Sequence, residues 1–570
     1  MSGTGLVLPS YLLAAILFTW PVARQFTSAI PSSRVALDPC LQAFILGWDW
    51  HALATLPHGL FNVPIFFPEP NALTYMDHLL GETILAAPIL AISRSIPAAY
   101  NFVLLFSFVA SAWAVYRLAR LCGASRPASY LAGFLYAFGP YRFANLDLLN
   151  QLQTEFLPLG IIFALKFLRG YRARDLAALA GCFVAQVYFG WYYAYYLGIG
   201  IALLFAYALV SRSFTFGRVP WWKSAAIVAG ALILVLPVTF PYVREHRLLP
   251  EFHRSLGESA LYSADVMDYL KLNRNAALAG LAPFASGAQS YWPGLVTVFL
   301  GAVGLAGARS GLAGAGPAGD PRERSWISGY FLTLTAASFF LSLGPILHVG
   351  GARIWIPLPY AVLYYIAPGF SSMRAPARLA SLVLLGLAIL AAFGYDRLRE
   401  RVGGRPVWPA AVTLLFSLSI AFAWTRPLST VELPTEKQIP PVYAWLANRS
   451  GAEPLLELPV PRADADENEA LALRQLWVLY HGHPRLDGTS GFVSRRYKAF
   501  RSLIQGFPGE GALRAASGMG ARLVIVHFGD YPAAARAMLR ERIRAERRLV
   551  PLAEFGADAV FRLGVIRDSL

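Results

Sequence analysis

Apolar runs long enough to cross a bilayer constrain this chain more than any other feature. About eleven such runs lie between residues 6 and 424, and a spanning helix needs about 20 apolar residues. We therefore predict a mainly α, polytopic transmembrane helical bundle over residues 1–430. The predicted spans are Leu6–Ala29, Ala98–Ala119, Pro127–Phe143, Thr154–Leu168, Leu176–Trp191, Tyr193–Val210, Ala225–Tyr242, Tyr291–Ala308, Trp326–Leu347, Ala377–Tyr395 and Val407–Trp424.

Two details of this division depend on length rather than on polar loops. Residues 176–210 contain no polar break, so we divide them near Gly190. The runs Leu79–Ile92 and Leu358–Ala367 are too short to span and are interpreted as re-entrant or interfacial helices.

The charge content excludes a soluble protein. Only 14% of the residues are charged and the mean hydropathy is +0.49, whereas soluble domains contain about 25% charged residues. The net charge of +16 comes from basic clusters that lie between apolar runs. We interpret these clusters as topology signals and expect no nucleic-acid partner. The three cysteines lie far apart and show no metal-binding or disulfide spacing.

The basic clusters also predict an orientation. Five of them fall on one side of the predicted spans, which the positive-inside rule assigns to the cytoplasm. The first outer loop (residues about 30–82), the segment 243–290 and everything after residue 424 then lie outside. A bacterial inner (plasma) membrane is the expected location.

The residues after 431 have a different pattern. Short apolar runs typical of strands (454–460, 523–528 and 560–563) alternate with helix-like segments (468–480, 495–505 and 533–547). This alternation predicts a small C-terminal extracytoplasmic α/β domain over residues 431–570.

The first outer loop concentrates ionisable residues. Its acids and histidine with candidate roles are Asp38, Asp49, Asp77, His78 and Glu82. Carboxylates at the bilayer edge are costly unless they are solvated or used. Structural roles are also open, since Asp38 before Pro39 can cap a helix and His78 with Glu82 can form a helical pair. These residues show no tight metal-ligand spacing.

Arg374 and Arg378 form a second candidate site. They precede a predicted span on the outer side, against the charge bias, and are four residues apart. Two arginines at this position can bind a phosphate through bidentate hydrogen bonds. Contact with lipid headgroups is the alternative. Tyr141 and Arg142, at the start of the segment FGPYRFANLD, are weaker candidates for lining a substrate cavity.

Several strings resemble an uncharacterised bacterial branch of the GT-C superfamily of membrane glycosyltransferases. They are LDPCLQAFILGWDWHAL, DHLLGETILAAPI, FGPYRFANLD, FSSMRAPARLA, ELPV and GARLVIVHF. The layout of a first span, an outer loop with an early aspartate, further spans and a C-terminal outer domain is similar over nearly the whole chain.

The resemblance implies transfer of a sugar from a polyprenyl-phosphate donor to an acceptor outside the cytoplasm. In such enzymes an aspartate of the first outer loop is the general base, and Asp38 is the matching position. Asp49, Asp77 and Glu82 stay open as the base, because no second acid is adjacent to Asp38. Arg374 and Arg378 would stabilise the leaving phosphate.

The implied partners are a polyprenyl-phosphate-linked sugar, membrane lipids and a glycan, lipid or protein acceptor of the cell envelope. No cofactor is firmly implied, and a divalent metal ion (Mg²⁺ or Mn²⁺) stays open. The alternative functions are transport or flipping of a lipid-linked glycan, and a non-catalytic role in envelope assembly. The clustering of ionisable residues at the outer surface favours interfacial chemistry over transport, which typically uses a midplane site.

Overall fold

A computed structural model describes residues 5–32, 37–56, 59–272, 276–278, 290–309, 321–367, 369–403, 405–433, 438–461 and 469–564. The helices are α1 (Val7–Phe18), α2 (Leu37–Thr55), α3 (Leu80–Ser93), α4 (Ile96–Leu121), α5 (Arg126–Ala137), α6 (Pro140–Ala144), α7 (Phe156–Gly170), α8 (Ala173–Phe189), α9 (Trp191–Val210), α10 (Trp221–Leu248), α11 (Leu256–Leu261), α12 (Leu295–Arg309), α13 (Pro321–Ser342), α14 (Pro359–Ile366), α15 (Ala380–Val402), α16 (Trp408–Ala423), α17 (Pro441–Ala447), α18 (Glu469–His481), α19 (Arg495–Ile504), α20 (Glu510–Gly518) and α21 (Ala533–Ala545). The strands are β1 (Ala29–Pro31), β2 (Ile346–Val349), β3 (Ala352–Pro357), β4 (Thr430–Glu432), β5 (Leu455–Leu458), β6 (Leu523–His527), β7 (Leu549–Phe555) and β8 (Asp558–Leu563).

The chain forms two compact units. The first comprises residues 1–25, 101–239 and 253–430, and the second comprises 26–100, 240–252 and 431–570. The sequence did not predict that the first outer loop would belong to the same unit as the C-terminal residues.

Four helical segments in the described ranges are long and apolar enough to cross a membrane: Ile96–Leu121, Trp191–Val210, Trp221–Leu248 and Pro376–Val402. The predicted number of about eleven spans is therefore not confirmed. Some of the other predicted spans contain only shorter apolar helices, such as Val7–Phe18 and Trp408–Ala423. The run Pro127–Phe143, for example, breaks at Gly139–Pro140 into α5 and α6.

The predicted break near Gly190 is confirmed. Helix α8 ends at Phe189 and α9 begins at Trp191, and Gly190 adopts φ +144°, a conformation that side chains disfavour. The runs near residues 79–92 and 358–367 are also short helices, α3 and α14, of 14 and 8 residues.

Helix α15 is the centre of the first unit. The span that contains it is 89% buried, and α5, α12 and α13 pack against it. Its contact with α12 depends on glycine, because a Cβ at Gly394 would overlap the carbonyl oxygen of Leu300. Small residues allow helix backbones to approach closely in this way.

The second unit contains a four-stranded sheet in the order β5-β6-β8-β7. Strand β5 is parallel to β6, and the other two pairs are antiparallel. The three strands and three helices predicted after residue 431 all form. Strand β7 was not predicted; it contains Pro551, which is tolerated because β7 is an edge strand.

A buried charge network connects the strands of this sheet to a neighbouring loop. Arg485, Glu457 and Asp487 are fully buried. The Arg485 guanidinium makes two hydrogen bonds to Asp487, of 2.8 and 2.9 Å, and its Nη2 lies 3.1 Å from Glu457 Oε2. A buried charge is tolerated only when it is paired in this way.

The network continues through His527. Its Nε2 lies 2.8 Å from Glu457 Oε1 and its Nδ1 lies 2.8 Å from Asp558 Oδ1. Burial alone would lower the pKa of His527, but the hydrogen bonds to Asp558 and Glu457 outweigh it and raise the pKa. Burial also opposes ionisation of Glu457, whereas Arg485 and His527 together hold the pKa of that carboxyl far below its usual range.

The network also fixes part of the first outer loop. The N–H of Arg485 donates to the Pro64 carbonyl (3.0 Å), and the N–H groups of Phe67 and Phe66 donate to the carbonyls of Arg485 (2.9 Å) and Asp487 (3.3 Å). Residues 64–67 and 485–487 are therefore paired within the second unit, which explains why segments so distant in sequence fold together.

We expect Arg485→Leu to destabilise the second unit by about 3–5 kcal/mol, because it leaves Glu457 and Asp487 buried without their partner. Hydrogen exchange of the β5 and β6 amides would measure this change. Arg514→Leu is the matched control, since Arg514 is exposed and pairs with exposed Glu510, and it should hardly alter the exchange. Equal effects of the two substitutions would contradict the role of the network.

Candidate functional site

Arginines and tyrosines gather in the first unit around the start of the span Pro376–Val402. We call Arg254, Glu258, Arg374 and Arg378, with Tyr192 and Tyr262, the arginine cluster. Arg254 Nη1 lies 2.9 Å from Glu258 Oε1, and Arg374 Nε lies 3.7 Å from the same oxygen. With three guanidinium groups to one carboxylate, the cluster is net positive.

Aromatic rings hold two of the guanidinium groups. Arg374 lies over the Tyr262 ring, 3.9 Å from its centroid, and hydrogen-bonds to the Tyr262 hydroxyl. Arg378 lies over the Tyr192 ring at 4.4 Å. A planar guanidinium group stacks on a ring through its face and binds anions through its edge, and Arg suits this arrangement better than Lys.

The backbone of this segment is fixed by tyrosines of α9. The N–H of Arg374 donates to the Tyr192 hydroxyl (3.1 Å), and the Tyr196 hydroxyl donates to the Ala375 carbonyl (3.1 Å). Pro376 then begins a 3₁₀ turn that leads into α15. The two arginines are thus held in place rather than displayed on a free loop.

Electrostatics favour an anion at this cluster. Partial burial, followed by the charge of Arg254, lowers the pKa of Arg374, while Glu258 acts in the opposite direction. Two further cations therefore lie close enough to affect Arg374. An arriving phosphate would relieve this repulsion.

Tyr141 and Arg142 are more deeply buried in the same unit. Tyr141 packs against Tyr291, with ring centroids 5.8 Å apart. Arg142 donates to Thr154 (2.8 Å), Ser107 (3.0 Å) and Ser111 (3.2 Å). These contacts favour a structural role for Arg142, and its predicted part in substrate binding stays a prediction.

The acids of the first outer loop lie in the second unit and differ in burial. Asp49, His78 and Glu82 are buried, Asp77 is half-buried and Asp38 is exposed. Helix α2 begins at Leu37, so Asp38 lies in its first turn, where the helix dipole favours a negative charge. Asp38 and Asp49 are separated by about 16 Å along this helix.

Asp49 accepts a hydrogen bond from the Leu79 N–H (2.9 Å), and this contact brings it close to the start of α3. Its other carboxylate oxygen is buried without a hydrogen-bond partner among the described residues. Burial raises the pKa of Asp49 to about 8, against the opposing effect of the Leu79 N–H. Asp49 is therefore mainly protonated near neutral pH and unsuited to act as a base.

His78 is neutral for the same reason. Burial lowers the pKa of His78 to about 4. Its backbone N–H donates to the Tyr242 hydroxyl (3.2 Å). Both ring nitrogens are buried and lack a hydrogen-bond partner within the described ranges.

The described residues contain no group of three or more His, Cys, Asp and Glu side chains that could hold a metal ion. A role for Mg²⁺ or Mn²⁺ stays a prediction from the resemblance.

Sequence reasoning found Arg374 and Arg378 but missed their partners. Arg254 and Glu258 are four residues apart around the start of α11, whose N-cap is Ser255. The spacing was visible in the sequence, but nothing there showed which arginines α11 would meet. The rings of Tyr192 and Tyr262 carried no local signal, because tyrosine is frequent throughout this chain.

No protein-family model and no curated protein matches this sequence. Solved structures do share its fold. The arabinofuranosyltransferase AftD from Mycobacteria superposes with a TM-score of 0.58 and 14% identity, over 99% of this chain and 40% of AftD. This chain thus spans about two fifths of the length of that enzyme.

Two further structures are similar. The archaeal oligosaccharyltransferase AglB from Archaeoglobus fulgidus, in complex with an inhibitory peptide and a dolichol-phosphate, gives a TM-score of 0.51 and 11% identity over 99% of this chain and 74% of AglB. ArnT from Cupriavidus metallidurans gives a TM-score of 0.49 and 12% identity, over 99% of this chain and 98% of ArnT. The fold of this chain is therefore shared with AftD and AglB, which agrees with the predicted resemblance at the level of fold.

We expect Asp49→Asn to raise the thermal unfolding midpoint, and to raise it much more at about pH 9 than at about pH 5. The fold favours the protonated carboxyl, so this stabilisation is complete below the ordinary aspartate pKa and is lost as the pH rises towards about 8. Asparagine keeps an acceptor for the Leu79 N–H and has no such proton to lose. Scanning fluorimetry of the detergent-solubilised protein across this range measures the midpoints.

The exposed Asp38 provides the matched control, and Asp38→Asn should show no comparable pH-dependent gain. If the Asp49→Asn difference were constant across the pH range, Asp49 would not be held protonated by the fold.

Proposed function

We propose that the chain is a membrane glycosyltransferase that moves a sugar from a polyprenyl-phosphate donor to an acceptor of the cell envelope. The observation that carries this proposal is the arginine cluster, a fixed, net-positive site at the start of a membrane span in a GT-C fold. A lipid phosphate group resides at the end of a span, where the headgroups lie.

The donor class is supported by two considerations. Planar guanidinium groups bind phosphate oxygens with paired hydrogen bonds, and the cluster contains three of them. The archaeal AglB structure contains a dolichol-phosphate, which is itself a polyprenyl-type phosphate. Similarity to that protein is limited to the fold, so the donor of this chain is part of the proposal.

In the proposed reaction an acceptor hydroxyl attacks the anomeric carbon of the sugar. The bond from that carbon to the phosphate oxygen breaks, and both electrons leave with the phosphate. Arg374 and Arg378 stabilise the negative charge that develops on the leaving phosphate, which accelerates the reaction if their contacts strengthen in the transition state.

The hydroxyl proton passes to a carboxylate, for which we propose Asp38. A general base must be ionised at the working pH. Asp38 is exposed in the first turn of α2, whereas burial keeps Asp49 protonated. Asp77, which is half-buried, is the second candidate, whereas Glu82 is fully buried like Asp49 and is less suited than either the exposed or the half-buried acid.

The acceptor is proposed to be a glycan, lipid or protein outside the cytoplasm, and the proposed location is a bacterial inner membrane. The side of the membrane follows from the positive-inside orientation of the sequence, and the acceptor classes and the bacterial membrane follow from the family resemblance. Membrane lipids are the remaining partners.

Asp38→Asn should lower kcat by about 10²–10⁴-fold and leave donor binding unchanged, because the amide cannot accept the proton. The measurement is transfer of label from radiolabelled polyprenyl-phosphate sugars to an envelope extract, by protein reconstituted in lipid. The control is Glu541→Gln, which changes an exposed acid of α21 and should leave kcat unchanged. Normal transfer by Asp38→Asn would assign the base elsewhere, and movement of the carrier across the bilayer without transfer would support the flippase alternative instead.

Arg374→Lys should raise the KM for the lipid-linked donor by roughly 10-fold or more, since it keeps the charge but loses the planar, two-pronged geometry. The matched control is Arg401→Lys. Arg401 is exposed in the last turn of α15, at the end of that helix away from the arginine cluster. An unchanged KM and kcat in Arg374→Lys would remove the arginine cluster from the donor site.

A further inference from the structure

A hairpin and a short helix in the first unit expose apolar side chains that no described residue covers. The hairpin is formed by β2 and β3, and α14 follows it; together we call them the hairpin–α14 element. Every residue of β3 is exposed. The large exposed side chains are Ile354 (39%), Trp355 (81%), Ile356 (50%), Val362 (58%), Tyr365 (74%) and Ile366 (70%).

The element is held firmly despite this exposure. The Asp265 carboxylate accepts hydrogen bonds from the N–H groups of Gly350 (2.9 Å) and Gly351 (2.7 Å) in the turn. Both glycines adopt positive φ, +60° and +85°, which glycine tolerates best. The Leu358 N–H closes the base of the hairpin on the Pro345 carbonyl at 3.0 Å.

The chemistry of the exposed surface fits a lipid interface. A tryptophan, a tyrosine and the exposed Arg353 accompany the aliphatic residues, and this mixture is typical of the headgroup region. Leaving the aliphatic surface in water costs about 25 cal/mol per Å² relative to burying it in an apolar environment. The element also lies close to a membrane span in the sequence. Helix α14 ends at Ile366, ten residues before the span that begins at Pro376.

The element is attached directly to the arginine cluster. The Tyr364 hydroxyl of α14 donates to the carbonyl of Arg254 (2.6 Å), and the Tyr360 hydroxyl donates to the carbonyl of Met373 (3.4 Å), next to Arg374. The Ala377 N–H in turn approaches the Tyr262 carbonyl at 3.5 Å. A force that fixes the depth of α14 therefore fixes the depth of the arginines as well.

We propose that the hairpin–α14 element rests in the lipid interface and anchors the arginine cluster at the depth of the lipid phosphates. The position of the element in the membrane does not depend on the proposed function. The role of the arginines in binding a donor phosphate does rest on it. The element contacts one phospholipid leaflet. Trp355 and Tyr365 lie among the headgroups, and the aliphatic side chains contact the upper part of the acyl chains.

The test uses spin labels on the full chain in phosphatidylethanolamine–phosphatidylglycerol nanodiscs. Cys40, Cys122 and Cys182 are buried, so an exposed introduced cysteine can be labelled selectively. For Trp355→Cys we expect higher accessibility to dissolved oxygen, which partitions into lipid, than to a water-soluble nickel chelate. The matched control is Val550→Cys, on the exposed edge strand β7, which should favour the nickel chelate.

Two results would overturn the lipid contact. A Trp355→Cys label that behaves like the Val550→Cys label would place the hairpin in water. A label shielded from both reagents would show that a protein, either a second copy or another partner, covers the surface.

The anchoring is tested with a label at Ser371→Cys, whose backbone carbonyl accepts a hydrogen bond from the Arg254 N–H (3.1 Å). Adding Trp355→Glu should shift this label towards the nickel chelate, whereas Trp355→Phe should not. An unchanged Ser371→Cys depth in a folded Trp355→Glu protein, as judged by its thermal midpoint, would refute the anchoring.

Neither measurement requires transfer activity. If the labels behave as expected but the wild type transfers no sugar, the proposed function fails while the membrane anchor stands. If transfer proceeds and the labels report water, only the anchor fails.

Discussion

The second unit depends on one physical constraint: a charge that is buried away from water must be paired with an opposite charge and with hydrogen bonds. Arg485 shows this constraint. It is fully buried between Glu457 and Asp487. Because those partners come from β5 and from the segment that pairs with residues 64–67, satisfying one guanidinium group fixes the sheet and the first outer loop together. Chain segments about 400 residues apart thus become one compact unit through local electrostatics.

The same rule separates the ionisable residues of the first outer loop by their chemistry. Asp49 is buried and has only the Leu79 N–H to stabilise its charge, so it keeps its proton. Asp38 lies about three turns away on the same helix, in contact with solvent. Two aspartates of similar appearance in the sequence therefore differ in burial, and burial is what raises the pKa of Asp49.

In the first unit the tyrosines perform the positioning that carboxylates perform in the second. Tyr192 and Tyr196 hold the backbone beside Arg374, and the rings of Tyr192 and Tyr262 support the guanidinium faces. Phenol groups orient cations without neutralising them. The cluster therefore keeps its positive charge, whereas Arg485 is surrounded by carboxylates and presents none. This difference separates an arginine site suited to binding an anion from one that serves the fold.

The sequence by itself determined the membrane class, the helical character, the break at Gly190 and the strands β5, β6 and β8, and it predicts Arg374 and Arg378 as a candidate site. These features follow from the length of apolar runs, from the backbone preferences of single residues and from positive charge on the side of the membrane where it is not expected. All three can be read from residues that are neighbours in the sequence.

Only the tertiary structure decided how many apolar runs are continuous helices, that β7 forms at an edge despite Pro551, and that Arg254, Glu258 and two tyrosines surround Arg374. It also decided that Asp49 is buried and Asp38 is not. Burial and partnership depend on segments far apart in the chain, so no local pattern contains them.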